Sequence, residues 1–283
     1  MATKEMVNKA LASGGGQMVQ ADRIETLLER IDIKRRFDEV LGDKSAGFIS
    51  SVISASRSKG LSVCPPMSVV ASAMVAATLD LSINPELGHA HIVPYRENGT
   101  PVAQFQMGWK GYVQLGQRTN LYRTMNASEI YEDEIEFWNP ITGELKLRPM
   151  SEWKQRYSKG ARDDGKIAGY SAYFRLLNGF EKFLYMTNVQ LEDHAKRYSK
   201  SYQRGLGNWV TDPHGMKIKT PLKLLLKKFG PMSVQIQKAL QADHAVVDLD
   251  GQVKQYPDAV DAPGEIVNDA IEPTEGTVEQ MAR

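Results

Sequence analysis

Apolar positions recur at helical spacing first. In residues 25–41, "ETLLERIDIKRRFDEVL", Leu27, Leu28, Ile31, Ile33, Phe37, Val40 and Leu41 supply the apolar side of one amphipathic helix, which Gly42 ends. A second helix is expected over 45–57. A third follows Pro66, where "MSVVASAMVAATLDL" is so rich in small and apolar residues that it should be buried. After Pro85 the period shortens. "HAHIVPY" and "VAQFQM" alternate as strands do, and Asn98-Gly99 between them is a tight-turn dipeptide, so a hairpin is predicted. A helix over about 108–119 comes next, then a strand in "LYRTMNASEIY". Two more hairpins turn near Asn139-Pro140 with Thr142-Gly143, and at Asn178-Gly179. Helical spacing returns at 188–201, at 221–229 and at about 233–242. For 221–229, Thr220 would be the N-cap, Pro221 the first helical residue and Gly230 the terminator. Helices, an antiparallel sheet interrupted by one helix, then helices again make an α+β architecture.

Composition sets the boundaries. An N-terminal arm over 1–24, a globular body over 25–244 and a tail over 245–283, disordered when free, are expected. No run is long and apolar enough to span a membrane, and the first twenty residues lack a signal-peptide pattern. Cys64 is the only cysteine, which suits a reducing cytoplasm and excludes a cysteine-rich zinc site. The net charge of +1 hides an asymmetry. Nine acids against Lys254 and Arg283 give residues 245–283 a charge of −7 and leave +8 for residues 1–244. A basic body suits a polyanionic partner, though an ordinary solvated surface would carry the same charge.

The motifs narrow the chemistry. "GARDDGKI" at 160–167 nearly matches a phosphate-binding loop. However, Ile167 stands where a hydroxyl must hold magnesium, and "IAGYSAYF" after it reads as a strand where the motif needs a helix. It is read as a hairpin loop, and no ATP site is expected. His89 and His91 share one strand face and could ligate zinc with a third ligand from elsewhere, which keeps a metal-dependent DNA nuclease or hydrolase as the alternative class. The bland reading makes them packed strand histidines. Glu132, Asp133, Glu134 and Glu136 read as an exposed loop and strand edge. No nucleophile–histidine constellation is recognisable, so no catalytic residue is assigned and no cofactor is expected.

Three segments combine cations with aromatic residues. "QMGWKGYVQLGQR" carries Lys110 and Arg118 around Gly108, Gly111 and Gly116. "HAKRYSKSYQRGLGNW" carries Lys196, Arg197, Lys200 and Arg204 among Tyr198, Tyr202 and Trp209. "MKIKTPLKLLLKKF" carries Lys217, Lys219, Lys223, Lys227 and Lys228, with Lys223 and Lys227 on one helix face and Leu222, Leu225, Leu226 and Phe229 on another. Each alone is an ordinary solvated face. Three in one basic body favour single-stranded nucleic acid.

"LDLSINPELGHAHIVPY" (79–95), "AQFQMGWKGYVQLGQRTNLYR" (103–123) and "KTPLKLLLKKFGPMSVQIQKAL" (219–240) resemble the phage RecT family of single-strand annealing proteins, over roughly 25–240. The resemblance implies a Rad52-like core of antiparallel sheet with a central helix. It implies ATP-independent annealing of complementary single strands through a duplex intermediate, and homo-oligomeric rings or filaments. It also implies a prophage origin, a bacterial cytoplasm and a partner 5′→3′ exonuclease. Lys110, Gly111 and Arg118 match the family's basic-glycine-helix motif, Gly88 and His89 its "LGHA" signature, and Gln104 a strand position before the helix. Gln106, Tyr112 and Arg123 in the same segment join the candidate contacts. Backbone amides near Gly108 and Gly111 are expected to approach phosphates. Pro221 is expected to interrupt a helix that other members run longer. The acidic tail is assigned to protein contacts, with the host single-strand-binding protein or the exonuclease, or to competition with DNA for the basic groove.

Overall fold

The computed structural model describes residues 23–256, apart from 59, 98, 150, 153–165 and 232. Four helices come first: α1 (Ile24–Glu29), α2 (Ile31–Leu41), α3 (Ser45–Ser56) and α4 (Pro66–Thr78). Pro66 opens α4 where a missing N–H costs nothing. Every residue from Val69 to Ala77 is buried, because α1, α2 and α3 pack on one side of α4 and a β-ribbon on another. The expected single helix over 25–41 is two. Arg30 leaves the helical region (φ −58°, ψ 133°), and its guanidinium bonds the Asp32 carboxylate at 3.0 Å. That break turns Ile31 out to 85% exposure while Ile33 and Phe37 enter the core.

The ribbon pairs β1 (Ala90–Glu97) with β2 (Thr100–Met107) through the predicted turn, where Gly99 takes φ +86°. Its two faces diverge. Ala90, Ala103, Phe105 and Met107 belong to the buried core, and the Ala103 amide donates to Ser68 Oγ of α4 at 3.1 Å. The opposite face carries His91, Val93, Tyr95, Gln104 and Gln106, paired across the ladder as His91–Gln106, Val93–Gln104 and Tyr95–Val102. After the ribbon, α5 (Trp109–Arg118) leads to a three-stranded antiparallel sheet ordered β3 (Tyr122–Tyr131), β6 (Ile167–Leu176), β7 (Glu181–Thr187). A separate hairpin joins β4 (Ile135–Asn139) to β5 (Glu144–Leu147). The architecture is mixed helix and antiparallel sheet, consistent with a Rad52-like core, though its strands form separate ladders rather than one sheet.

The glycines around α5 have a packing cause. A Cβ on Gly108 would collide with the Gly88 carbonyl, one on Gly111 with the His89 carbonyl, and one on Gly116 with the Met125 side chain. The Gly108 amide donates to the His89 carbonyl at 2.9 Å. This corrects the expected approach of phosphates: the bare backbone at Gly108 and Gly111 lets one protein segment lie on another.

The C-terminal half adds α6 (Asn188–Tyr198), α7 (Lys200–Gln203), α8 (Asn208–Thr211), α9 (Pro213–Phe229) and α10 (Val234–Ala242). Helix α9 crosses the three-stranded sheet and packs on α5. It corrects the expectation of a helix that starts at Pro221. The start is Asp212, whose carboxylate accepts from the Gly215 amide at 3.0 Å, with Pro213 at the first position. Pro221 sits mid-helix, which costs about 3 kcal/mol in isolation. Burial of Ile218, Leu222, Leu225 and Leu226 offsets it. Gly230 ends the helix as expected, in an extended conformation (φ −74°) rather than the left-handed one common at helix ends.

The acidic segment does not begin as free chain. β8 (Val246–Val247) pairs with β9 (Val253–Gln255), both β8 valines are buried, and Arg36 of α2 holds Asp250 at 2.8 Å. Apolar Val246 and Val247 draw it onto the body. The rest of that tail, the N-terminal arm to residue 22 and most of "GARDDGKI" lie outside the described residues. Ile167, at the end of that motif, opens strand β6 rather than a helix.

In an unhindered helix, Gly→Ala stabilises by about 1 kcal/mol. Gly47 in α3 has open space, so Gly47→Ala should raise the melting temperature by a few degrees. Gly111→Ala, with the His89 carbonyl in the way, should lower it instead, and thermal unfolding of both variants checks this.

Candidate nucleic-acid interface

Helix α10 ends at Ala242, and the chain then reverses sharply. His244 takes φ +67° and donates its amide to the Phe105 carbonyl at 3.0 Å, so α10 is tied to β2. The turn drives the Asp243 side chain into the interior, where it has no exposure. Its Oδ1 accepts from the Met107 amide at 2.9 Å and from Lys219 Nζ at 2.8 Å. Its Oδ2 accepts from Lys223 Nζ at 2.7 Å and from the Tyr112 hydroxyl at 3.1 Å. Lys219 Nζ also lies 3.0 Å from His244 Nε2, which accepts when the ring is neutral.

Protonation follows burial and charge together. Burial works to raise the Asp243 carboxyl, but His244 and the two ammoniums beside it outweigh burial and hold it well below the ordinary value. Burial pushes Lys219 down to about 8, with the Lys223 charge acting the same way against Asp243. Burial also takes His244 down to about 3, again with both lysines helping and Asp243 opposing. At neutral pH the cluster therefore holds two ammoniums, one carboxylate and a neutral imidazole. It carries one excess positive charge.

That charge forms the floor of a cleft of about 790 Å³ between α6, α8, α9 and α10. Lys219, Lys223 and Lys227 line it beside the rings of His194, Tyr198, Trp209 and Tyr256. Burial and the neighbouring Lys223 and Arg197 charges push His194 down to about 4, so its ring is neutral at pH 7. A second hollow of about 360 Å³ lies over the polar face of the ribbon and meets the first at Trp209, Met216 and His244. Arg96 and Arg204 line it with Tyr95, Gln104, Gln106 and Asn208. The two spaces adjoin at these three residues and together make a candidate groove, with cations and aromatic rings in the walls of both.

The sequence candidates divide by place. Gln104, Gln106, Arg204, Lys219, Lys223 and Lys227 line the groove. Tyr112 is fully buried beneath it. Gly111 packs on His89, while Lys110 is exposed with its ammonium 5.9 Å from the Trp109 ring centre. Arg118 is committed to protein: it donates to the Leu79 carbonyl at 2.8 Å and the Asp80 carbonyl at 2.7 Å. Lys217 bonds Asn188 Oδ1 at 3.2 Å. Arg123, Lys196 and Arg197 are exposed on the surface of β3 and α6, and Lys200 is half-buried at the start of α7. Lys196 is near Asp193 at 3.9 Å. His91 faces the groove side of the ribbon opposite Gln106, and His89 lies at the Gly108 corner. Among the described residues, no three metal-binding side chains gather around either. Of the four acids expected at an exposed edge, Glu134 turns inward and accepts from the Tyr131 amide at 3.1 Å.

Sequence reasoning missed Tyr95, Arg96, Asn208, Asp243 and His244. The alternation of β1 could have shown Tyr95, since its face is the polar one. Nothing local marks Asp243, whose partners Met107 and Tyr112 are 136 and 131 positions away.

Removing one partner of a buried ion pair costs about 3–5 kcal/mol, because the remaining charge is uncompensated. Asp243→Asn should therefore lower the melting temperature by about 10 °C. Lys219→Met leaves Asp243 with Lys223, Met107 and Tyr112, and should cost less. Calorimetry on the two variants checks the order.

A family model described as "RecT family" matches residues 46–260, the span that contains the groove and all of its described walls. A relative in Bacillus subtilis (strain 168), the uncharacterized protein YqaK, is 43% identical over 222 residues, which is 78% of this chain and 72% of the relative. Among the described residues, no helix is long and apolar enough to cross a membrane. With three quarters of the chain covered by the family model, this protein belongs to the RecT family of DNA-binding, single-strand annealing recombination proteins.

Proposed function

We propose that the groove over α9 and the ribbon holds single-stranded DNA by its phosphates and presents its bases for pairing with a complementary strand. The carrying observation is the coincidence of cations and rings in two adjoining spaces: Lys223 and Lys227 beside Tyr198, Trp209 and Tyr256 in one, and Arg204 beside Trp209 in the other. Such equipment binds a strand largely without regard to sequence. The complementary strand then supplies the recognition, so annealing requires neither ATP nor a catalytic side chain. Affinity is electrostatic and falls steeply with salt. Lys110, Arg123, Lys196 and Arg197, exposed on the surface, extend the field that attracts the strand.

Self-association in a ring or filament would align grooves from neighbouring copies into a continuous track. Exposed Leu121, Leu177 and Phe180 at one end of the three-stranded sheet offer an apolar surface for it. The work belongs in the bacterial cytoplasm, on phage DNA resected by a 5′→3′ exonuclease. Tyr256 stands in the cleft wall. The acidic residues of the C-terminal segment are suited by their charge to docking the exonuclease or the host single-strand-binding protein.

Lys227 and Arg204 are exposed, and among the described residues neither is within 4 Å of a carboxylate. Lys227→Glu with Arg204→Glu should leave the melting temperature unchanged, weaken binding to single strands of any sequence, and abolish annealing. The log–log salt slope should fall by about one per lost phosphate contact. Annealing by wild type should persist in EDTA without cleavage of labelled DNA. Full annealing by the double variant, or metal-dependent cleavage, contradicts the proposal.

A further inference from the structure

The smaller hollow has a property that phosphate tracking does not require. Gln104 is 1% exposed, lines the hollow, and its Oε1 has no hydrogen-bond partner. A buried, unsatisfied amide oxygen is costly, and a donor that enters the hollow would complete it. Its ladder neighbour Gln106 is held differently: its Oε1 accepts from Asn208 Nδ2 at 2.6 Å, which fixes the N-terminus of α8 to the ribbon. Asn208 is followed by Trp209, whose ring forms the boundary with the larger cleft. Gly205 (φ +70°) and Gly207 (φ +81°) bend the connection that carries both residues over the ribbon. A Cβ on Gly207 would run into the Ser201 side chain, so the bend is closely packed. The hollow thus combines amide groups, the rings of Tyr95 and Trp209, and the guanidiniums of Arg96 and Arg204, with no carboxylate in its lining.

We propose that this hollow is a capture pocket for one unstacked nucleobase of the bound single strand, with the Gln104 amide oxygen accepting from the base edge. The inference rests on the reading of the groove as a single-strand site. Its volume of about 360 Å³ falls within the range that holds small organic ligands. Amide side chains present the donors and acceptors that base edges require, and Trp209 or Tyr95 offers a face for stacking. Arg96 and Arg204 neutralise the flanking phosphates. Turning a base out of a single strand is cheaper than out of a duplex. One base held aside at regular intervals would fix the strand's position in the groove while its neighbours remain free to pair. Because adenine, guanine and cytosine carry an exocyclic amine at the pairing edge and thymine carries a ring imide N–H there, each can donate to Gln104.

The test compares an ordinary single-stranded oligonucleotide with one of equal length and phosphate number whose bases are replaced by abasic sites. Full-length wild type should bind the base-bearing strand about tenfold tighter at the same salt. Gln104→Met removes the unpaired oxygen with little change in shape, so it should raise the melting temperature slightly. It should also close most of that gap, leaving abasic-strand affinity and salt slope unchanged. Trp209→Leu should narrow the gap as well, with Trp209→Phe restoring part of it. Equal wild-type affinity for the two strands overturns the pocket while leaving the phosphate groove intact. Failure to bind either strand overturns the groove itself. A stabilised Gln104→Met variant with an undiminished gap shows that the orphaned oxygen serves no base. Free deoxynucleosides that quench Trp209 at micromolar concentration, without any gap between strands, would reassign the hollow to free nucleotides and overturn the proposal.

Discussion

The Asp243 carboxylate is the point on which the C-terminal half is fixed. Its two oxygens take four donors from three elements: the Met107 amide at the end of β2, the Tyr112 hydroxyl of α5, and the ammoniums of Lys219 and Lys223 on α9. A buried carboxylate with this many charged and neutral donors stays ionised, and the donors stay where it holds them. The ribbon, the following helix and α9 therefore have one relative placement, and the groove between them has one shape. Because two lysines meet a single carboxylate, the fixing point also leaves positive charge under the cleft. The same interaction builds the walls and supplies the field.

Above that floor the roles separate by exposure. Lys227, Arg204 and Arg96 reach outward, where salt competes with them and where, in the proposed function, a flexible phosphate chain finds them. Tyr198, Trp209 and Tyr256 give the walls flat apolar surfaces, which in the proposed function accept any base. The far face of the ribbon is committed to the core through Phe105 and Met107, so its polar face is a stiff platform rather than a loop. Amide side chains mounted on that platform keep their positions better than they would on a mobile segment.

Much of the scaffold was legible because its signals are local. Asn-Gly steps marked two hairpins, Pro66 and Gly42 marked helix ends, and the uninterrupted apolar run of α4 announced its burial. The misreadings arose where distant residues decide. Pro221 reads as a helix start until the burial of Ile218 and Leu222 on either side is known. Val246 and Val247 look like the beginning of an acidic tail until they meet the body. The glycines at 108 and 111 looked like an opening for a ligand, whereas the neighbouring backbone at Gly88 and His89 occupies that space. Lysine is seldom buried, so Lys219 read as a surface cation, and Asp243 is one acid among many near it in the sequence. Their pairing joins residues 24 positions apart, and no periodic pattern encodes it.

A structure of the full chain with a bound single-stranded oligonucleotide would test the central claim most directly. The strand should follow the groove between α9 and the ribbon, with phosphates within hydrogen-bond distance of Lys227 and Arg204, while Lys219 remains on Asp243. A strand that instead crosses the outer surface at Lys110 and Arg123, leaving the groove empty, would contradict it.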